Sequence, residues 1–358
     1  MSVKFGVIVP IPAAPIDKLI SISKSNEKVG FDSIWATDHL LSIPLGIVPE
    51  AWSVLTAIAM VTDRVMLGTC VSDPHRQHPA VLAQRIATID HISKGRVILG
   101  IGAGEAMNID PFGIKWDKPV SRLIEAIKIM RRLWIGERFS YKGEFWKLRD
   151  AFLQIKPTRP TVPIYLAANS PRLLRLTGEI ADGWIPVPMP PKLYRKRLRL
   201  VKEGAKRAGR PIDDVDTGIF IYTAIADQAE DAYKQLDLIK PQIVFFPKLL
   251  REAGYEVKLP EEISPMFYRD VLLTTEGVER YKKYGELISM EAAIDFSIAG
   301  TPEDCINKID EFIKAGVKHF LLVNMGPNPR HVMKIYGEEI MPFFRNLQRH
   351  VPVANSAG

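Results

Sequence analysis

Short apolar runs alternate with longer helical segments along most of this chain, and that alternation limits the fold more than any other feature. Lys4 to Val9 reads as a strand. Ile16 to Val29 carries apolar residues at helical spacing and stops at Gly30. Ser33 to Ala36 is a second strand that runs into Thr37-Asp38-His39. A helix around Trp52 to Val61 leads to the strand Val65 to Val71, and Pro79 to Ile92 is a helix opening on proline. Arg96 to Gly100 is an almost unbroken apolar strand that ends in Gly102-Ala103-Gly104-Glu105. Strands this hydrophobic suit a parallel sheet covered on both faces.

The same order continues. Pro119 to Trp134 is an amphipathic helix, and Tyr141-Lys142-Gly143-Glu144 reads as the turn of a small hairpin insertion within Phe139 to Leu148. Pro163 to Ala167, Gly183 to Val187 and Gly218 to Ala226 are strands, with helices at Pro171 to Ala181 and Pro191 to Ala208. From Gln228 to about Met290 the pattern turns helical and irregular, which reads as an insertion at 228–290. Phe296 to Ala299, a helix from Pro302 to Ala315, the strand Lys318 to Val323 and a helix from Pro329 to Arg349 complete the series. Strands that feed helices number about eight, which fits one α/β domain over residues 1–358, a (β/α)8 TIM barrel with insertions. A doubly wound sheet is the alternative. The 358 residues alone allow one domain or two.

Composition removes several classes. With 47% hydrophobic and 25% charged residues the chain is an ordinary globular one. No apolar run approaches the roughly 20 residues a membrane span needs. Lys and Arg total 48 against 41 acidic residues, a mild and dispersed +7 that makes no nucleic-acid stripe. The densest basic cluster, Tyr194-Arg195-Lys196-Arg197-Leu198-Arg199, reads either as the solvated face of a helix or as a subsite for an anionic cofactor tail or substrate. Two cysteines, Cys70 and Cys305, build neither a disulfide framework nor a metal site, and the expected compartment is the cytoplasm. The seven His residues show no metal-ligand spacing, so no metal is expected. His75 and His78 flank Arg76 in a loop and read as solvated.

In a barrel the working face lies where strands end. That gathers Pro10, Asp38, His39, Cys70, Val71, Gly102 to Glu105, Ala168 to Ser170 and Pro186 to Pro188 around one mouth. A His beside a carboxylate can move a proton near neutral pH, so Asp38 and His39 read as an acid–base pair, or as a capping Asp with a space-filling His. The small residues before Glu105 admit a planar or phosphorylated group close to the backbone; a solvated loop carboxylate is the plainer reading. No third Gly follows at dinucleotide spacing and no helix opens at once, because Asp110-Pro111-Phe112-Gly113 comes next, so a nicotinamide site is disfavoured. Ala167-Ala168-Asn169-Ser170-Pro171 runs from strand into helix, which suits either a phosphate at a helix N-terminus or simple capping by Asn169 or Ser170.

Taken together these segments resemble the bacterial-luciferase-like superfamily, and within it the branch that uses the deazaflavin coenzyme F420. Gly30 to His39, Leu67 to Val71 followed by His78 to Gln84, Gly95 to Asn108, and Ile298 to Ala315 with Gly300-Thr301-Pro302-Glu303-Asp304 carry the match. The resemblance covers roughly residues 3–225 and 295–345 and implies a (β/α)8 barrel and a homodimer. It implies a deazaflavin in the mouth, its ring on a bulge with a non-proline cis peptide at Cys70–Val71. Gly102, Ala103 and Gly104 would lie close to it and Ala167, Ala168, Asn169 and Ser170 would take its phosphate. Asp38, His39, Glu105 and Asn108 match polar active-site positions. His39 or Glu105 would be the acid or base, with Asp38 setting the imidazole tautomer.

Two features bear on the substrate, expected to be a small molecule. The alcohol and sugar-phosphate dehydrogenases of the branch carry a Trp just after the Asp-His pair, whereas here the run is Leu40-Leu41-Ser42-Ile43-Pro44-Leu45. Trp116-Asp117-Lys118-Pro119-Val120 resembles an element of methylenetetrahydromethanopterin reductases, and Asn108 to Trp116 resembles F420-dependent ketoreductases. Both imply reduction of a C=N or C=O group. An FMN-dependent luciferase-like monooxygenase, and a non-catalytic flavin-binding relative, are the competing expectations.

Overall fold

The computed structural model describes residues 3–9, 14–42, 47–258 and 275–349. Pro10, residues 43–46 of the apolar run and residues 259–274 of the expected insertion lie outside these.

The strands in chain order are β1 (Lys4–Ile8), β2 (Ser33–Ala36), β3 (Met66–Thr69), β4 (Val97–Ile101), the hairpin β5 (Phe139–Lys142) and β6 (Lys147–Ala151), β7 (Ile164–Leu166), β8 (Gly183–Trp184), β9 (Asp216–Ile225), β10 (Ser297–Gly300) and β11 (His319–Asn324). Parallel pairing runs β11-β1-β2-β3-β4-β7-β8, and β9 joins β8 to β11, which closes a ring of eight strands. Val7 pairs with both Ile34 and Leu322, and Trp184 with both Leu166 and Thr217. This is the expected (β/α)8 barrel. Phe296 to Ala299, expected within the alternation, does form a strand, yet among the described residues β10 pairs only with the far end of β9, at Tyr222 to Ile225. Residues 218–223 of β9 pair directly with β11, so the ring closes without β10.

Alternation along the strands sorts the apolar residues into two layers. Ile8, Trp35, Ile98, Tyr165, Ile185 and Leu321 fill the lumen, with Phe220, Cys70 and Val71 packed against them. Phe5, Ile34, Leu67, Leu99, Leu166 and Leu322 belong to the outer layer under the helices. Phe5 stacks on Phe320 at 5.5 Å between ring centroids.

Several helices are delimited by local chemistry. Thr301 and Asp304 form a reciprocal capping box at the start of Pro302–Ala315, and left-handed Gly316 ends it. Ser170 caps Pro171–Ile180, and proline opens it. The hairpin turn is gripped by buried Glu125, whose carboxylate accepts the backbone N–H groups of Glu144, Phe145 and Trp146. Residues 228–290 supply the helices Ala229–Gln235, Lys240–Val244, Pro247–Ala253 and Thr275–Gly285.

The starts of the strands carry a buried polar floor. Tyr165 donates to Asp216 Oδ2 at 2.5 Å and Lys4 Nζ does so at 3.0 Å. His319 Nδ1 stands 3.1 Å from the same oxygen, its Nε2 lies 2.8 Å from Ser33 Oγ, and Trp35 Nε1 donates to that hydroxyl at 2.7 Å. These residues lie opposite the expected working face. They fasten five strands to one another.

Candidate active site

The ends of β2, β3, β4 and β7 bring the expected residues to one mouth. Beyond Thr69 the chain passes through a cis Cys70–Val71 peptide, as the resemblance implied, and rejoins the sheet at Ser72, which bridges Ile101. Cys70 N–H donates to Ala36 O at 2.8 Å, Ser72 N–H to Gly100 O at 2.9 Å and Gly102 N–H to Ser72 O at 2.8 Å. The bulge lies so close to β4 that a side chain at Gly100 would run into the Thr69 carbonyl. Burial pushes the Cys70 thiol up to about 12, so it is a neutral, apolar contact.

Asp38 is 5% exposed, and its carboxylate is fully engaged away from His39. Ser72 Oγ donates to Oδ2 at 2.5 Å, and Arg76 Nη1 donates to Oδ1 at 2.9 Å. Arg76 also donates through Nη2 to the Asp38 carbonyl at 2.8 Å and through Nε to Asp73 Oδ2 at 2.5 Å. The expected Asp38–His39 couple is thereby corrected: Asp38 anchors the segment after the bulge. Burial works against the charge on Arg76, and the adjacent Asp38 and Asp73 carboxylates more than offset it, raising its pKa above the ordinary value.

The partner of His39 is Glu105. His39 Nε2 lies 3.8 Å from Glu105 Oε2, with side chains 26% and 42% exposed. Asn108 Nδ2 donates to Glu105 Oε2 at 3.0 Å, and Asn108 Oδ1 accepts the Leu41 N–H at 3.1 Å. A row therefore runs His39, Glu105, Asn108 and back, at Leu41, to the loop carrying His39. Contrary to the sequence reading, a single helical turn, Ala106–Ile109, opens directly after Glu105 and sets Asn108 three residues on, facing it.

Gly102 to Glu105 is held from the side. Gly104 has φ +78°, which favours glycine, and a Cβ there would come 3.0 Å from His75 Cδ2. His75 is half-buried against this loop rather than solvated, with Nε2 3.1 Å from Ala103 O and Nδ1 3.2 Å from Lys115 O. Trp116 Nε1 also donates to Ala103 O, at 3.1 Å.

At the β7 end, Ala167 N–H donates to Ile101 O at 3.0 Å and Ala168 O accepts Trp184 Nε1 at 2.9 Å. The Asn169 side chain accepts Val187 N–H at 3.3 Å, and Ser170 Oγ accepts Leu173 N–H at 3.4 Å, so both side chains brace the loop. Arg197, from the basic cluster, is buried. It donates to the Asn169 carbonyl, and its Nη2 meets Glu252 of helix Pro247–Ala253 at 2.9 Å. Its Nε is buried without a hydrogen-bond partner among the described residues.

The mouth suits a flat, largely uncharged ring. Gly102 lets three successive strand ends pack closely: a Cβ built there would lie 3.1 Å from Val71 Cγ2 and 3.3 Å from Ala167 Cβ, so those neighbours would have to give way. Neutral Cys70 and the apolar Val71 flank it.

Ser72, Asp73, Arg76, His75 and Arg197 were not singled out as site residues from sequence. Only Arg197 left a trace there: it falls three residues after Tyr194 and four before Val201, both buried on the same helix face.

The luciferase-like monooxygenase family model matches residues 3–319. The 5,10-methylenetetrahydromethanopterin reductase of Methanolobus tindarius is 31% identical over 334 residues, covering 92% of this chain and 98% of that protein. The F420-dependent glucose-6-phosphate dehydrogenase of Microbacterium testaceum is 32% identical over 337 residues, covering 92% and 94%. Among solved structures, the coenzyme F420-dependent tetrahydromethanopterin reductase from Methanopyrus kandleri superposes with a TM-score of 0.83 at 26% identity, covering 96% of this chain and all of that one.

Proposed function

This chain belongs to the luciferase-like monooxygenase family and to its coenzyme F420-dependent oxidoreductases, and we propose that it reduces a C=N or C=O group at the barrel mouth. When bound, the deazaflavin would supply the hydride chemistry at the substrate carbon. The protein's part is to place that carbon, exclude water and manage one proton.

In this reading Cys70, Val71, Gly102, Ala103 and Gly104 hold the ring, and Ala167 to Ser170 take the phosphate through backbone groups. Arg197 stiffens that loop from behind. The proton role falls to His39 and Glu105, whose Nε2 and Oε2 lie 3.8 Å apart. Asn108 holds Glu105 in place. Asp38 is a positioning residue, since both its oxygens are already bonded. The observation that carries the proposal is the row His39, Glu105, Asn108 standing beside the Cys70–Ser72 bulge. Leu40 and Ile47, exposed at the edge of the β2 loop, favour a bulky apolar carbonyl or imine compound over a sugar phosphate. The homodimer expected from the resemblance and the cytoplasmic setting expected from cysteine usage belong to the same proposal, and sedimentation tests the former.

Titration with F420 and with FMN, followed by anaerobic addition of ketone and methylene-pterin substrates, tests it. Binding of F420 with substrate-dependent reoxidation of its reduced form is expected. Tight FMN binding with oxygen uptake would overturn the assignment.

A further inference from the structure

The His75 ring faces two acceptors. Its Nδ1 lies 3.2 Å from Lys115 O and its Nε2 lies 3.1 Å from Ala103 O. A carbonyl oxygen only accepts, and a neutral imidazole carries one N–H. In the neutral ring one contact is a hydrogen bond while the other sets two lone pairs against each other. The imidazolium satisfies both.

The clasp sits where it controls the site. Ala103 is two residues before Glu105, and its carbonyl also receives Trp116 Nε1. Gly104, between them, passes over the imidazole with φ +78°, so the ring forms a wall of the loop. Glu105 then begins the turn that carries Asn108. We propose that His75 is a positioning residue for Glu105: two ring N–H groups draw the 102–105 loop and the 115–116 segment together, and one N–H lets them part.

The charged groups facing His75 are Asp73 and Arg122. Asp73 Oδ1 accepts the His75 backbone N–H at 2.8 Å, and Oδ2 is taken by Arg76. Burial lowers the imidazole pKa below its ordinary value, the Asp73 charge and the two carbonyls oppose that, and Arg122 reinforces it. Acidification adds the second N–H. The catalytic consequence rests on the role proposed for Glu105, but the movement of the loop does not.

The test is NMR of the protein with 13Cε1-labelled histidine, titrated from about pH 8 to about pH 5, with H75Q and H39N identifying two of the seven signals. His39 reports on Glu105, its neighbour. The expected His39 curve has two inflections, its own and one at the His75 midpoint, and H75Q removes the second. Should H75Q fail to fold, the coincidence of the two midpoints in the unsubstituted protein still decides. A one-step His39 curve overturns the proposal. So does a second step that vanishes in about 0.5 M KCl, where direct charge coupling is screened and loop movement is not. Turnover of E105Q separates the two readings. Full activity with a two-step His39 curve refutes the proton role and keeps the positioning role. Inactivity with a one-step curve does the reverse.

Discussion

Replacing Arg76 with Met should be among the most damaging changes near the mouth that touch no reacting group. The guanidinium lies 2.9 Å from Asp38 and 2.5 Å from Asp73, with side chains 15%, 5% and 9% exposed. At an effective dielectric of about 20, each pair is worth about 6 kcal/mol of gross attraction, most of it offset by desolvation. Truncation leaves two buried carboxylates without their shared cation, and breaking a buried pair in this way costs about 3–5 kcal/mol. R76M should lose that amount in urea unfolding followed by circular dichroism at neutral pH. D38N/R76M should lose less than the two single losses combined, with a coupling of about 1–3 kcal/mol, because neutralising Asp38 removes part of the repulsion. A loss in R76M below about 1 kcal/mol, or additivity within about 0.5 kcal/mol, would refute the view that this cluster is a mutually dependent anchor.

Glu105→Gln and His39→Asn should each cut turnover by about a hundredfold or more while leaving F420 affinity nearly unchanged; unaltered turnover in both would remove the pair from the chemistry. Gly102→Val would push Val71 and Ala167 apart, so F420 binding should weaken by about tenfold or more with the circular dichroism spectrum retained, and equal affinity would show that the ring lies elsewhere. Asp216 supplies a pH prediction. Burial alone would raise its pKa, but His319, Lys4 and the Tyr165 hydroxyl together hold it well below the usual carboxylate range. Its stabilisation is therefore present above the unfolded carboxylate pKa and is lost as pH falls through the lower folded value. Melting temperature should drop with acidification in the unaltered protein and drop less steeply in D216N, which also melts lower at neutral pH. Parallel curves would contradict this.

Much of the fold was legible because its determinants are local. The helices Ile16–Val29, Pro79–Ile92 and Pro302–Ala315 have the bounds read from their periodicity, from the prolines that open the last two and from Gly30 after the first. The strand at 297–300 was legible as well, but its exclusion from the ring was not, since that depends on β9 being long enough to pair with β11 first. At the site, strand ends marked His39 and Glu105 and the family resemblance added Asn108, and the three do assemble. The partners of Asp38 were hidden because Ser72 and Arg76 lie far along the chain, and nothing local distinguishes an aspartate that bonds its neighbour from one that bonds the next strand's loop. His75 was hidden for a related reason: two backbone carbonyls leave no mark in sequence. The burial of Arg197 followed from helical phase, which outweighed the basic residues around it.

The polar floor has a wider implication. Its contact order, Ser33 hydroxyl to His319 Nε2 and Nδ1 to the Asp216 carboxylate, is the atom order of a serine hydrolase triad. Access and donor count separate the two. Ser33 is 1% exposed, no substrate carbonyl can reach its oxygen, and that oxygen already accepts the Trp35 indole. A geometric search for triads would select this barrel, and a fluorophosphonate probe should leave Ser33 unlabelled. Three residues in the right order make a nucleophile only where the fold leaves room for an electrophile; closed off by a barrel floor, the same three make a rivet.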